Sequence, residues 1–119
     1  MGITELELQI ASPVNPKNKK TVKFLVDSGA IYSVVPSNIL GVLKIKPHSK
    51  EKFLLADGSE IERDRGDAIF FYMNKQGASP VIFGKRGDTA LLGAVTLESL
   101  GFLIDPIRRR LRTLPMLLV

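Results

Sequence analysis

The sequence predicts an all-β domain with one or two short helices. Glycine and proline interrupt it often, ten and seven of 119 residues. The segments between them are short and rich in Val, Ile, Phe and Leu, the pattern of strands joined by turns. An Asp57-Gly58 pair between two extended runs adds a strong local hairpin signal, both turn positions being expected at positive φ.

Taken in order, Ile3 to Ala11 alternates as a strand and stops at Ser12-Pro13-Val14-Asn15-Pro16, a loop by its two prolines. Thr21 to Val26 resumes as its hairpin partner, and Ile31 to Pro36 is a further strand. Ser37 is placed to cap a short helix through Leu40 that Gly41 ends. Glu51 to Ala56 and Glu60 to Met73 form the arms of the Asp57-Gly58 hairpin. Its tip is charged and exposed, whereas Asp67 to Tyr72 is nearly continuous hydrophobic. Ser79 to Phe83 and Leu91-Leu92 are strands, the second stopped by Gly93. Thr96 starts a helix that Gly101 ends, and Phe102 to Asp105 and Arg110 to Leu114 complete the strands. The two halves echo one another: each runs strand, turn, helix, Gly, strand, Pro. The match covers few positions.

Composition narrows the function. The chain suits one domain, residues 1–119, with a real core. At 45% hydrophobic and 24% charged it is globular, and no run approaches the ~20 apolar residues of a membrane span. A soluble protein is therefore expected; the alternating N-terminus reads as a first strand, not a signal peptide, and the compartment stays open, with the cytoplasm favoured. With no cysteine, disulfides, thiolate nucleophiles and Cys-bearing zinc sites are excluded. His48 is the single histidine, between Pro47 and Ser49, which leaves little for a Ser-His-Asp arrangement or a histidine metal centre. No metal or cofactor is expected. The formal charge of +5 is scattered: Lys17, Lys19, Lys20 and Lys23; Lys44, Lys46, Lys50 and Lys52; Arg108, Arg109, Arg110 and Arg112. Without interleaved aromatics these clusters read as solvated surface, and no nucleic-acid partner is expected.

Carboxylates remain. Asp27 follows three apolar residues and precedes Ser28-Gly29-Ala30, so a strand carries it inward to a tight turn. Position alone also fits an Asx-type turn with no chemistry. One inward acid does little hydrolysis alone, because activating water and protonating a leaving group takes two groups in different protonation states. A two-fold dimer would supply the second, since a residue beside the axis faces its own copy.

The stretch FLVDSGA, Phe24 to Ala30, followed by Ser33-Val34-Val35-Pro36, resembles the catalytic motif of retropepsin-like aspartic proteases. Ala90-Leu91-Leu92-Gly93 with the helix Thr96 to Leu100 is similar to that family's second hallmark. The ending Leu100 to Pro106 looks like that of its single-domain microbial members. The resemblance implies a closed, mostly β homodimer acting as an aspartic endopeptidase on an extended peptide or unfolded protein, each chain giving Asp27 to a shared dyad. It implies that Ser28 hydrogen-bonds across the dimer, that Gly29 lies against substrate and that Ala30 completes the turn. Ala56, Asp57, Gly58 and Ser59 would form a flap over the substrate, and Val34 and Leu92 would be pocket walls or plain core. Viral members carry an acid and an arginine where this chain has Ile31 and Ala94, so its dimer must be braced differently. The apolar tail Pro115 to Val119 is either an interface strand or disordered. A retropepsin-like module that binds peptides or dimerises without turnover is the main alternative; a basic nucleic-acid-binding β-barrel is the third.

Overall fold

A computed structural model describes residues 4–27, 29–105, 107–108 and 110–118. Nine strands and two one-and-a-half-turn helices follow in the order β1 (Thr4–Ser12), β2 (Asn15–Val26), β3 (Ser33–Pro36), α1 (Ser37–Val42), β4 (Ser49–Leu54), β5 (Glu60–Tyr72), β6 (Lys75–Gly84), β7 (Leu91–Leu92), α2 (Ala94–Ser99), β8 (Phe102–Asp105) and β9 (Arg110–Thr113). The expected all-β class with two short helices holds for these residues. Of the first strand's expected start, Ile3 lies outside the described residues.

Seven strands form one sheet in the order β1-β2-β7-β3-β6-β5-β4, and β8 and β9 form a separate pair. β1 also pairs with β5 through Gln9–Ala11, so the run of pairings from β1 to β5 returns to its first strand. Inside that ring lie Phe24 and Phe70, ring centroids 6.0 Å apart, with Ile10, Val26, Val35, Val81 and Leu92, all at or below 1% exposure. No helix among the described residues is long and apolar enough to cross a membrane.

The elements differ from the sequence reading where turn chemistry is unusual. The first turn is only Pro13-Val14, because β2 begins at Asn15 and takes Pro16 into the strand. The ladder absorbs the proline by a bulge: Ala11 pairs with Lys19 but Ser12 with Asn15, so 16–18 stand out of register. α1 runs through Gly41 to Val42, with Pro36 at its N-cap and no side-chain cap from Ser37. It ends where Lys44 takes φ 61°, with Lys44 N–H bonded to Gly41 O and Ile45 N–H to Leu40 O, a Schellman closure without glycine. β6 starts at Lys75, four residues earlier than expected. It follows a two-residue turn, Met73-Asn74, in which Met73 rather than a glycine has positive φ. The tip of the β4–β5 hairpin is also corrected. The connection is Leu55–Ser59, and only Gly58, at φ 89°, is left-handed. Gly58 N–H closes on Leu55 O, while the Asp57 carboxylate accepts Ser59 N–H at 2.9 Å.

Candidate active site

β2 and β7 run parallel, Leu25 beside Leu91 and Val26 beside Leu92. Asp27 and Gly93 are therefore the next residues at matching ends of two adjacent strands, and Asp27 N–H donates to Leu92 O at 3.2 Å. This equivalence gives the internal echo a physical form: one strand ends in an acid, its neighbour in a glycine. Side chains alternate along a strand, so Asp27 shares the face of Leu25 and Leu91, while Val26 and Leu92 point into the core. Leu92 is fully buried there and lines neither cavity beside the turn. Of the two places open to it, pocket wall or core, it takes the core, and Leu91 lines both cavities.

The Asp27 side chain is half-buried and is fixed by its own turn. Oδ1 accepts Gly29 N–H at 2.9 Å, and Ala30 N–H bonds Asp27 O at 3.1 Å. Ser28, expected to brace the turn, lies outside the described residues. Gly93 has to be a glycine because a Cβ there would fall 2.6 Å from the Tyr32 carbonyl carbon and 2.7 Å from Ile31 O. That close approach lets Ala94 N–H reach Ala30 O at 2.8 Å and Val95 N–H reach Ile31 O at 3.0 Å. Backbone pairing thus joins residues 30–31 to 94–95.

A buried hydroxyl chain completes the seam. Ser79 Oγ donates to Pro80 O at 3.0 Å, so it accepts from Thr96 Oγ1 at 2.8 Å. Thr96 then accepts from Ser33 Oγ at 2.5 Å, and Ser33 in turn accepts Gly93 N–H at 2.9 Å. Each hydroxyl has a single proton, so one direction runs through the whole chain. All three side chains are buried. Gly93, and with it the Asp27 turn, is anchored to β3, β6 and α2 at once.

Two adjoining cavities open beside this turn. One, of about 390 Å³, is lined by Gly29, Ala30, Tyr32 and Glu51; the other, of about 160 Å³, by Ile61, Arg63, Ile82 and Asp88. Val34, Phe53 and Leu91 line both, so they form one groove. The β4–β5 hairpin supplies Phe53 and Ile61, paired across the ladder, rather than its tip. Ala56, Asp57, Gly58 and Ser59 are exposed and line neither cavity. Ile61 stands alone among the charged residues 60–65, and Phe53 has only Leu54 beside it; the groove face of Leu91 has no local signal, because it depends on pairing with β2.

Ion pairs hold the hairpin. Arg63 Nε and Nη2 grip Asp88 at 2.7 and 3.1 Å, across the mouth of the smaller cavity. Hydrogen bonding to Arg63 holds the Asp88 carboxyl below its ordinary value, and Asp88 raises Arg63 in return. Arg65 Nη1 donates to Glu51 at 2.6 Å and to Tyr32 OH at 3.1 Å, its guanidinium 4.7 Å from the Tyr32 ring centre. Among the described residues, no group of three or more His, Asp or Glu is placed to hold a metal ion. Met116, Leu117 and Leu118 of the apolar tail are exposed and outside any strand; Val119 lies outside the described residues.

No protein-family model matches the chain, and no curated protein matches its sequence. Among solved structures it is similar to the crystal structure of a retropepsin-like aspartic protease from Rickettsia conorii, at 22% sequence identity and a TM-score of 0.45, with 88% of this chain and 94% of that chain covered.

Proposed function

We propose that the protein is a homodimeric aspartic endopeptidase, in which each chain gives Asp27 to a shared dyad. The observation that carries this reading is the Asp27 turn: a half-buried carboxylate, fixed by the Gly29 N–H, whose next residues Gly29 and Ala30 line an apolar groove that the β4–β5 hairpin walls. Its neighbour at the matching strand end is Gly93, so the chain has no second acid there, and a two-fold axis beside the turn supplies one.

Two carboxylates brought into hydrogen-bond contact hold one proton between them, since both cannot ionise easily. The ionised Asp27 takes a proton from a bound water as the water oxygen attacks the peptide carbonyl. The protonated one donates to the carbonyl oxygen, giving a tetrahedral diol. Collapse of the diol breaks the C–N bond, and the amine leaves with a proton from the dyad. The groove between Leu91 and Phe53 takes the substrate as an extended strand, and the hairpin closes over it.

The test is digestion of an unstructured protein at mildly acid pH. The wild type is expected to cleave it, and Asp27→Asn to lose cleavage while still sedimenting as a dimer. Equal cleavage by that variant, or a strictly monomeric active protein, rejects the shared dyad. A wild type that binds the substrate without cutting it is the peptide-binding module instead.

A further inference from the structure

We propose that the end of the molecule opposite the Asp27 turn is a docking site for an acidic, extended polypeptide segment carrying an apolar side chain. The inference stands apart from the protease reading. The Pro13-Val14 turn and the 43–48 link between α1 and β4 enclose an open cavity of about 250 Å³, lined by Pro13, Val14, Lys44, Ile45, Lys46 and His48. β2 runs from this end to Asp27 at the other.

The lining has three apolar residues, Pro13, Val14 and Ile45, and two lysines, Lys44 and Lys46, with Ser12, His48 and Asp67 beside them. Val14 is 90% exposed and presents an apolar surface to water beside the cavity. Among the described residues Lys44 and Lys46 are in no ion pair. Asp67, the one acid on the lining, lies 3.2 Å from His48 Nε2. The 16–18 bulge brings Lys17 to the same end, and Lys19 and Lys20 follow it. Lys44 adds a separate observation. It occupies the left-handed position after α1, φ 61°, where a Cβ is strained and glycine would sit without strain. A strained backbone that holds a lysine over a cavity points to use of its charge.

Cations set round an apolar floor suit carboxylates flanking a hydrophobic side chain. Stacked bases suit it less: Phe71, the aromatic ring beside this end, is covered by Lys19 Nζ at 4.5 Å from its centre.

The probe is a fluorescein-labelled peptide of about ten residues, one leucine flanked by glutamates, followed by anisotropy with the full chain. Binding that tightens as salt falls is expected. Lys46→Glu should weaken it about tenfold, and replacing the probe's leucine by glutamate should do the same. Lys44→Gly should raise the unfolding midpoint yet weaken binding about threefold, a split that lost folding cannot produce. Absence of binding at low salt, indifference to Lys46→Glu, unchanged binding by Lys44→Gly, an all-glutamate probe bound equally well, or an oligonucleotide of equal charge bound more tightly would each overturn the proposal.

Discussion

The groove has two walls held by opposite chemistry. On one side, residues 27 and 29–33 meet 91–96 through backbone bonds and the buried Ser33–Thr96–Ser79 hydroxyl chain. On the other, the β4–β5 hairpin is held by Arg63–Asp88, Arg65–Glu51 and Lys50–Asp64, all at least partly exposed. Breaking a buried hydrogen bond strands a polar group away from water, whereas water replaces a lost surface ion pair at little cost. The first wall is therefore expected to fix where Asp27 sits, and we propose that the second opens and recloses.

Gly93→Ala tests the fixed wall most severely. Its Cβ would fall 2.6 Å from backbone that has nowhere to go, so a loss of about 3 kcal/mol is expected, read as a lowered urea midpoint. A midpoint within experimental error of wild type would mean that the 31–32 segment yields freely, and the contrast between the walls would fail. Thr96→Val comes next. It keeps the shape but removes the link between two buried serines, for about 2 kcal/mol, while Thr96→Ser restores the hydroxyl and loses only about 0.8 kcal/mol for the methyl. Equal losses from both variants would show that the methyl, not the hydroxyl, carries the effect.

What was legible in the sequence follows the range of each signal. The Asp27 turn, the Leu91-Leu92-Gly93 strand end and the β4–β5 hairpin are written in runs of a few residues, and each stands where those runs put it. The remainder depends on partners distant in the chain. Pro16 ended the strand on paper, yet a bulge against Ser12 carries it within β2. The β5–β6 hairpin was missed because Met73, not glycine, takes the left-handed turn position. The exchange of Leu92 for Leu91 as groove wall is a matter of parity, fixed by parallel pairing with β2. Ser33, Ser79 and Thr96 are spread over more than half the chain, and nothing local marks them as one hydrogen-bonded unit.

The smallest effect is expected at the movable wall, where the Arg63–Asp88 side chains are 15% and 28% exposed. Asp88→Asn keeps the shape and removes the charge, so global stability at neutral pH should fall by less than about 1 kcal/mol. The pH dependence has a definite sign. The folded Asp88 value lies below the ordinary one, so the native state binds fewer protons than the unfolded chain between the two values. The contribution is full above the unfolded value and disappears as pH falls through the folded one. Mildly acid solution, where a carboxylate dyad works, lies above both, so the latch remains charged there and does not act as an acid gate. Amide exchange separates the walls directly: Asp88→Asn should speed exchange over Glu60–Arg65 and leave Leu91 and Leu92 protected. Equal acceleration at both places would mean that the hairpin and the seam open as one unit, and that the groove has no independent lid.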